Sequence, residues 1–576
     1  MEKELVSFIQ SNSIEPFGEN SSSKDNTRIF KTKDAKSIFN RTLGKVAENF
    51  CLKNTKDILD FFSSTQDKSE IVRRQSFFKT IEKISKNDFL KQLKRPEPIW
   101  SPKYDITVVT SNEKTFIELK KMGCPCKFVT SEEDVKYLEE LDIIEVIDAE
   151  EVEIFLEQLP QTIFVKKIEN VYLERYLELL SGWKKNIEVL MNNKQYLSQK
   201  LIELIGPLSS LLELTNEKQQ KKITRELIEE KLEEINDNLG ERIKTLNFSG
   251  EVLMKMLSGN GLPKELAETI DKEIETSNIP EQIFEKTMPL KIDDHELTKF
   301  LKEQEANEFL GVSEKIKKYA AELREVPKKL KELEEQLILF DFYAGITQFC
   351  QNNSEFPEIS NSLEIINSRN ILINAPQPIS FRLSQEQRCS ILTGANSGGK
   401  TTLLEHIIQV IAITQIGLPI NEKLKIPLFS DVYYFAKNKG STSKGAFETL
   451  LGQMSKINPG EETLILADEI ESVTEPGVAG KIVCATADYF IKKNCFLIIA
   501  THLGAVIQKN LPEHARIDGI EAKGLDEQNE LIVDHNPVLG KLANSTPELI
   551  IEKMAKTEAN EYIDFIYNNV KNNRSE

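Results

Sequence analysis

Apolar residues recur at helical spacing from about Asn26 to Leu90, as in Ile71, Phe77, Phe78, Ile81 and Ile84. The pattern predicts a helical N-terminal segment, which Pro96 and Pro98 break. It changes between Tyr104 and Ala149. Ile106-Thr-Val-Val109 reads as a buried strand, followed by an amphipathic helix through Leu119, and Cys126–Val129 and Ile143–Ile147 read as further strands. Alternation of strand and helix predicts a small parallel α/β module. From Glu151 to about Gln348 the pattern is almost wholly helical. Two charge-dense stretches, Asn216–Arg242 and Ser313–Gln336, carry apolar residues at heptad-like spacing: Leu227, Ile228, Leu232, Ile235 and Leu239, then Ile316, Leu323, Leu330, Leu333 and Leu337. These are either solvated faces of a helical bundle or paired long helices forming a projecting arm. Pro327 is expected to kink or break the second stretch. The remainder alternates strands and helices again.

At 576 residues the chain exceeds a single core, and three or four domains are expected. A hydrophobic content of 40% excludes wholesale disorder. The net charge of -18, from 92 acidic against 74 basic residues, argues against a nonspecific nucleic-acid coat, so any DNA contact must come from a local basic surface. Seven scattered cysteines suggest reduced thiols, and no second Cys or His pair stands near Cys124 and Cys126 at zinc-ligand spacing. The N-terminus, MEKELVSFIQ, is not a signal peptide, and His502 interrupts the longest apolar run, Phe496–Ile507. A soluble cytoplasmic protein without membrane contact is expected.

The chemistry gathers near the C-terminus. Ile391-Leu-Thr393 predicts a short buried strand running into Gly394-Ala395-Asn396-Ser397-Gly398-Gly399-Lys400-Thr401-Thr402, and an amphipathic helix follows with Leu403, Leu404, Ile407, Ile408 and Ile411. This is the G-x-x-x-x-G-K-[ST] phosphate loop in its required strand–loop–helix context. Its glycines let backbone amides face phosphates, and the helix brings its positive end to the same place. Lys400 is expected to neutralise β- and γ-phosphate charge, and the Thr401 hydroxyl to ligate Mg²⁺. A second predicted strand, Thr463–Ala467, ends in Asp468 and Glu469. Asp468 fits the Mg²⁺ shell, and Glu469 fits a base that orients and deprotonates the attacking water. A third, Cys495–Ala500, ends in Thr501-His502, which places His502 near the γ-phosphate or that water. About seventy residues separate Lys400 from Asp468, too few for the long coiled-coil insertion of an SMC-type head and tight for a transporter-type helical subdomain.

At these residues the chain resembles the MutS family. Thr393-Gly-Ala-Asn-Ser-Gly-Gly-Lys-Thr401 is similar to that family's TGPNxGGKS/T loop, and Gln415-Ile-Gly-Leu-Pro-Ile420 stands where the family carries an IGLPIPA-like stretch. Phe429–Tyr433, Leu466–Ile470 and Ala500-Thr-His502 resemble its later motifs, and Ser545–Met554 its C-terminal helix. The likeness covers Leu363 to about Glu552 and weakens upstream, where Ile71–Gln75 resembles the start of the helical core. Together with the alternation pattern, which alone supplies the second part, it gives four parts: an N-terminal helical core segment (1–100), a small α/β module (101–150), a helical lever and clamp region (151–350), and an ABC-type P-loop α/β ATPase domain with C-terminal dimerisation helices (351–576). It also implies ATP and Mg²⁺ as cofactors, a homodimer sandwiching ATP, and double-stranded or branched DNA as partner, in repair or recombination.

Three departures shape the expectation. No aromatic-x-Glu wedge stands in a Gly-rich strand context; Phe116-Ile-Glu118 and Phe155-Leu-Glu157 fit only the triplet. No Smr nuclease domain follows the C-terminal helix. The signature loop reads Gly445-Ala-Phe-Glu-Thr449 before Leu450 and Met454, without the family's Ser-Thr-Phe. The branch implied acts on branched rather than mispaired DNA; an ATP-switched scaffold without DNA contact and a true mismatch-binding ATPase are the alternatives. The candidate DNA patch is Lys218, Lys221, Lys222 and Arg225, set against a solvated helix face whose cations balance Glu226, Glu229 and Glu230. Arg73, Arg74 and Lys79 are the second candidates.

Overall fold

A computed structural model describes residues 1–18, 27–85, 87–102, 104–215, 224–245, 264–277, 279–287, 289–394, 399–436, 445–469, 475–525, 531–543, 547–557 and 560–572. The chain forms two compact units. One comprises Met1–Leu93, Gln195–Ser198 and Glu334–Glu576, the other Lys94–Lys194 and Gln199–Leu333. Among the described residues no helix is long and apolar enough to cross a membrane.

The N-terminal part of the first unit holds α1 (Lys33–Ala47) and α2 (Lys68–Thr80). Each is started by a side chain that satisfies free N–H groups: Thr32 accepts from Ala35 N, and Asp67 from Ser69 N and Glu70 N. Helix α2 turns Ile71, Arg74, Gln75 and Phe78 inward.

The second unit contains a four-stranded, wholly parallel sheet. Strand β1 (Ile106–Thr110) leads into α3 (Glu113–Lys121), and β2 (Cys126–Phe128), β3 (Ile143–Val146) and β4 (Thr162–Phe164) complete it in the order β2-β1-β3-β4. The strand at Thr162–Phe164 falls where the pattern predicts helix. It has three residues, too few to establish a period of two. Phe116-Ile-Glu118 lies within α3, and Phe155 in a single helical turn at Glu153–Leu156, so neither triplet is in a strand. Beyond α4 (Glu174–Gly182) come α5 (Arg225–Thr245), α6 (Lys264–Ser277) and α7 (Asp294–Lys318). Ile228, Ile235 and Leu239 of α5 pack with Leu266, Ile270 and Ile274 of α6 in one core, whereas Leu227 is exposed.

The second charge-dense stretch is interrupted. Helix α7 stops at Lys318, a short turn covers Ala320–Arg324, and α8 runs Val326–Asn352. Pro327 is the second residue of α8, where its missing N–H would have no helical partner in any case. It marks a helix start rather than a kink.

In the first unit, Asp341 of α8 is fully buried. Its carboxylate accepts from Cys51 N, Leu52 N, Thr55 Oγ1 and Asn87 Nδ2 at 2.7–3.1 Å, fixing α8 to the N-terminal segments. Strands β5 (Leu363–Ser368) and β6 (Ile379–Leu383) form an antiparallel pair in a small mixed sheet. The main sheet has six strands. It is built from β7 (Cys389–Gly394), β8 (Asp431–Phe435), β9 (Thr463–Asp468), β10 (Phe496–Ala500), β11 (Ala515–Ile520) and β12 (Val538–Leu539) in the order β8-β9-β10-β7-β11-β12. The first five run parallel and β12 is antiparallel. Helix α9 (Lys400–Ile416) is buried along nearly its whole length, His406, Gln409, Thr414 and Gln415 included, so it lacks the solvent face expected of an amphipathic helix.

The edge of this sheet is closed by residues just over 400 positions upstream. Lys31 N donates to Val432 O at 2.9 Å and Val432 N to Ile29 O at 2.8 Å, in parallel register on β8. Tyr434 N donates to Thr32 Oγ1, and Lys31 Nζ pairs with Asp431 at 3.0 Å. An otherwise open strand edge is thereby covered. The N-terminal segment is thus an integral part of the unit that carries the phosphate-loop sequence.

Candidate nucleotide site

Three parallel strands, β9, β10 and β7, deliver their carboxyl ends side by side, and the residues following each converge. Strand β7 ends at Gly394 with φ +136°, where a Cβ would stand 2.5 Å from the Ile520 carbonyl oxygen. Ala395, Asn396, Ser397 and Gly398 lie outside the described residues. Gly399, with φ +85°, precedes α9, and a Cβ there would meet His535 Nδ1 at 2.8 Å. Both positions need glycine for conformation and for space.

Lys400 is 3% exposed, and its Nζ donates to Gly394 O at 2.6 Å. The same Nζ lies 3.5 Å from His502 Nδ1. Thr401 Oγ1 donates to Asp468 Oδ2 at 2.5 Å, and Thr402 follows half-buried. Asp468, 3% exposed, ends β9. Glu469 takes φ +48°, a left-handed conformation that costs a non-glycine residue on the order of 1 kcal/mol. The turn is held by Glu469 N donating to Ala500 O at 2.9 Å, and it aims the carboxylate at His502, whose Nε2 is 2.6 Å from Oε1. An ammonium has only donors, so the His502 Nδ1 facing Lys400 is the acceptor. The ring proton is then on Nε2 and is donated to Glu469. Lys400, His502 and Glu469 form one directed chain, with Thr401 and Asp468 joined beside it.

One side chain at this place carries no sequence signal. His535 packs against Gly399 from a segment tied to the start of β6: its N–H donates to Gln377 Oε1 at 3.3 Å, and Asn536 Nδ2 to Pro378 O at 3.0 Å. The 136 positions between Gly399 and His535 conceal the proximity.

The donor set fits the groups the motifs imply. The two glycine positions form a cradle that a Cβ would fill, at the N-terminus of a 17-residue helix suited to anionic phosphate. A hydroxyl and a carboxylate in direct contact supply the hard oxygen ligands that Mg²⁺ takes.

The candidate DNA contacts are not gathered in this way. Lys218, Lys221 and Lys222 lie outside the described residues. Arg225 is exposed but pairs with Glu229 at 2.8 Å and Asp294 at 2.6 Å. Of the second candidates, Arg73 pairs with Glu4 and Glu70. Arg74 is buried and donates to Ser63 O and to Ile416 O at the end of α9, so it is a packing arginine rather than a surface cation. Lys79 lies over the Phe356 ring. In the signature region, α10 (Gly445–Met454) presents Glu448 and Thr449 to solvent and buries Met454.

No protein-family model matches the chain. It is 29% identical over 562 residues to the "DNA-binding protein MutS2" of Pyrococcus furiosus, covering 91% of this chain and 96% of that relative. The chain is thus similar to a MutS2 protein over nearly its whole length. More local likenesses agree. An "Endonuclease MutS2" of Borreliella burgdorferi is 30% identical over 158 residues, 26% of this chain and 20% of the relative. The "DNA mismatch repair protein MutS" of Thermus thermophilus is 24% identical over 260 residues, 44% of this chain and 31% of the relative. The breadth of the Pyrococcus match extends the similarity well beyond the C-terminal motifs that carry the resemblance in sequence.

Proposed function

We propose that this chain is a MutS-type DNA-binding ATPase of repair or recombination, working as a homodimeric ATP-gated clamp on branched DNA. The observation that carries the reading is the convergence of Lys400, Thr401, Asp468, Glu469 and His502 at adjacent strand ends. Lys400 and the amides at the start of α9 would bind the β- and γ-phosphates of ATP. The Thr401 hydroxyl and Asp468 carboxylate would hold Mg²⁺, which supplies charge neutralisation at the phosphates. Glu469 would take a proton from the attacking water at its carboxylate, and the His502 N–H orients that carboxylate at 2.6 Å. Gly399 and His535 would line the approach to the loop on its other side.

Discrimination of mispaired DNA is not expected. Phe116 is tilted on Phe128 at 5.5 Å and covered by the Lys120 ammonium, so the one Phe-x-Glu triplet wholly in a helix packs within its own module. The test is salt-dependent binding of a four-way junction against a linear duplex of equal length. Preferential junction binding whose affinity falls steeply with salt supports the reading. Equal, negligible binding of both favours the second reading, an ATP-switched interaction scaffold, for which the net charge of -18 speaks.

A further inference from the structure

A cavity of about 590 Å³ lies in the first unit between the end of α1, the end of α8 and the loop after β5. None of the residues of the candidate nucleotide site lines it. Its size suits a small-molecule ligand.

The floor is set by a buried amide chain. Asn370, 2% exposed, accepts at Oδ1 from Gln409 Nε2 at 3.1 Å and from Leu372 N at 2.9 Å. Gln409 Oε1 in turn accepts from Ile371 N at 3.2 Å and faces His406 Nδ1 at 2.9 Å. A carboxamide oxygen only accepts, so the His406 proton is on Nδ1, and burial holds this ring neutral, lowering its pKa to about 4. Every member of the chain is oriented by the next. The outcome is that the Asn370 oxygen is committed inward while its Nδ2 donates to no protein atom among the described residues.

The rest of the lining has matching character. Arg369 is exposed and forms no ion pair among the described residues. Asn352 stands exposed in the lining with no side-chain hydrogen bond among the described residues, and Lys45 adds an ammonium shared with Glu48 at 2.6 Å. Phe349 and Ile371 give apolar wall. The donors and cations suit an anion, and the apolar residues suit a flat ring.

We propose that this cavity is a second ligand site that takes a heterocyclic base carrying a phosphate, as in a nucleoside monophosphate. The phosphate meets Arg369 and the Asn370 amide, and the base lies along Phe349 and Ile371. Such a ligand comes either as a free nucleotide or as one unstacked nucleotide of a DNA strand. The loop after β5 lines the cavity with Arg369, Asn370, Ile371, Ile373 and Pro376, and its next residue, Gln377, holds the His535 segment beside Gly399. Occupancy is thereby coupled to the nucleotide loop through a few residues.

The test is calorimetric titration of AMP, ribose 5-phosphate and a dT oligomer into the full chain carrying Lys400→Ala. AMP is expected to bind more tightly than ribose 5-phosphate. Adding Arg369→Gln should weaken AMP about ten-fold, through loss of a charge-assisted contact. Adding Asn352→Trp, at an exposed position, should block the cavity. Displacement of AMP by the oligomer identifies the DNA source, and its absence the free nucleotide. The proposal is overturned by three results: no heat with AMP up to about 10 mM, binding that neither added substitution changes, or equal binding of ribose 5-phosphate. None of these bears on ATP binding at Lys400 in the unsubstituted chain, so failure here is distinguishable from failure of the ATPase reading.

Discussion

Glu145 sits on β3 of the parallel module with 2% of its surface exposed, and Glu174 on α4 is buried at 4%. Glu145 accepts from Tyr172 N at 2.6 Å. Burial first, and then the Glu174 carboxylate, push the Glu145 carboxyl from its ordinary 4.5 up to about 7. The folded pKa is the higher one, so the unfolded chain gives up this proton first as pH rises. The stability contribution is therefore fully present below pH 4.5 and is lost as pH climbs through 7. That interval corresponds to about 3 kcal/mol. Glu145→Gln keeps an acceptor for the Tyr172 amide and cannot ionise. Its stability relative to the unsubstituted chain should rise by about 3 kcal/mol between about pH 4.5 and about pH 8. Trp100 and Trp183, the chain's two tryptophans, both lie in the unit that contains Glu145, so urea unfolding followed by tryptophan fluorescence reads that unit. An offset between the two proteins that stays constant across this range would refute the reasoning.

Further outcomes follow from the same geometry. Lys400→Ala removes the buried cation of the loop and should weaken ATP about 100-fold by equilibrium binding; affinity within a few-fold of the parent would unseat the site. Asp341→Ala leaves four donors around a buried space and should cost about 4 kcal/mol or more, read as a lowered midpoint of thermal unfolding, whereas Asp341→Asn should cost less. A G·T duplex should bind no more tightly than its matched control in competition assays; a preference of about ten-fold or more, or 1.4 kcal/mol, would restore mismatch reading.

The motifs of the nucleotide site were legible because each is local: a strand, a loop and a helix start within a dozen residues, or two acids at a strand end. Fold features closed by distant segments were not. Nothing in Ile29–Lys31 announces that it completes the edge of β8, because pairing partners are set by tertiary packing rather than by pattern. His535 is hidden for the same reason. Thr162–Phe164 was too short to declare its period. Pro327 was legible as a break, but whether a proline ends one helix or opens the next depends on which flanking residues find a core. The charge of Arg74 suggested a surface contact by type alone; its burial against the end of α9 is a packing fact that charge cannot reveal.

The central claim is that Glu469, held by His502, activates water for ATP hydrolysis at this site. Steady-state phosphate release by Glu469→Gln tests it most directly, measured beside ATP binding by the same protein. Binding should stay within a few-fold of the parent while turnover falls by about 100-fold or more, because the amide cannot accept the proton of the attacking water. Undiminished phosphate release with intact binding would contradict it and assign the base to another residue.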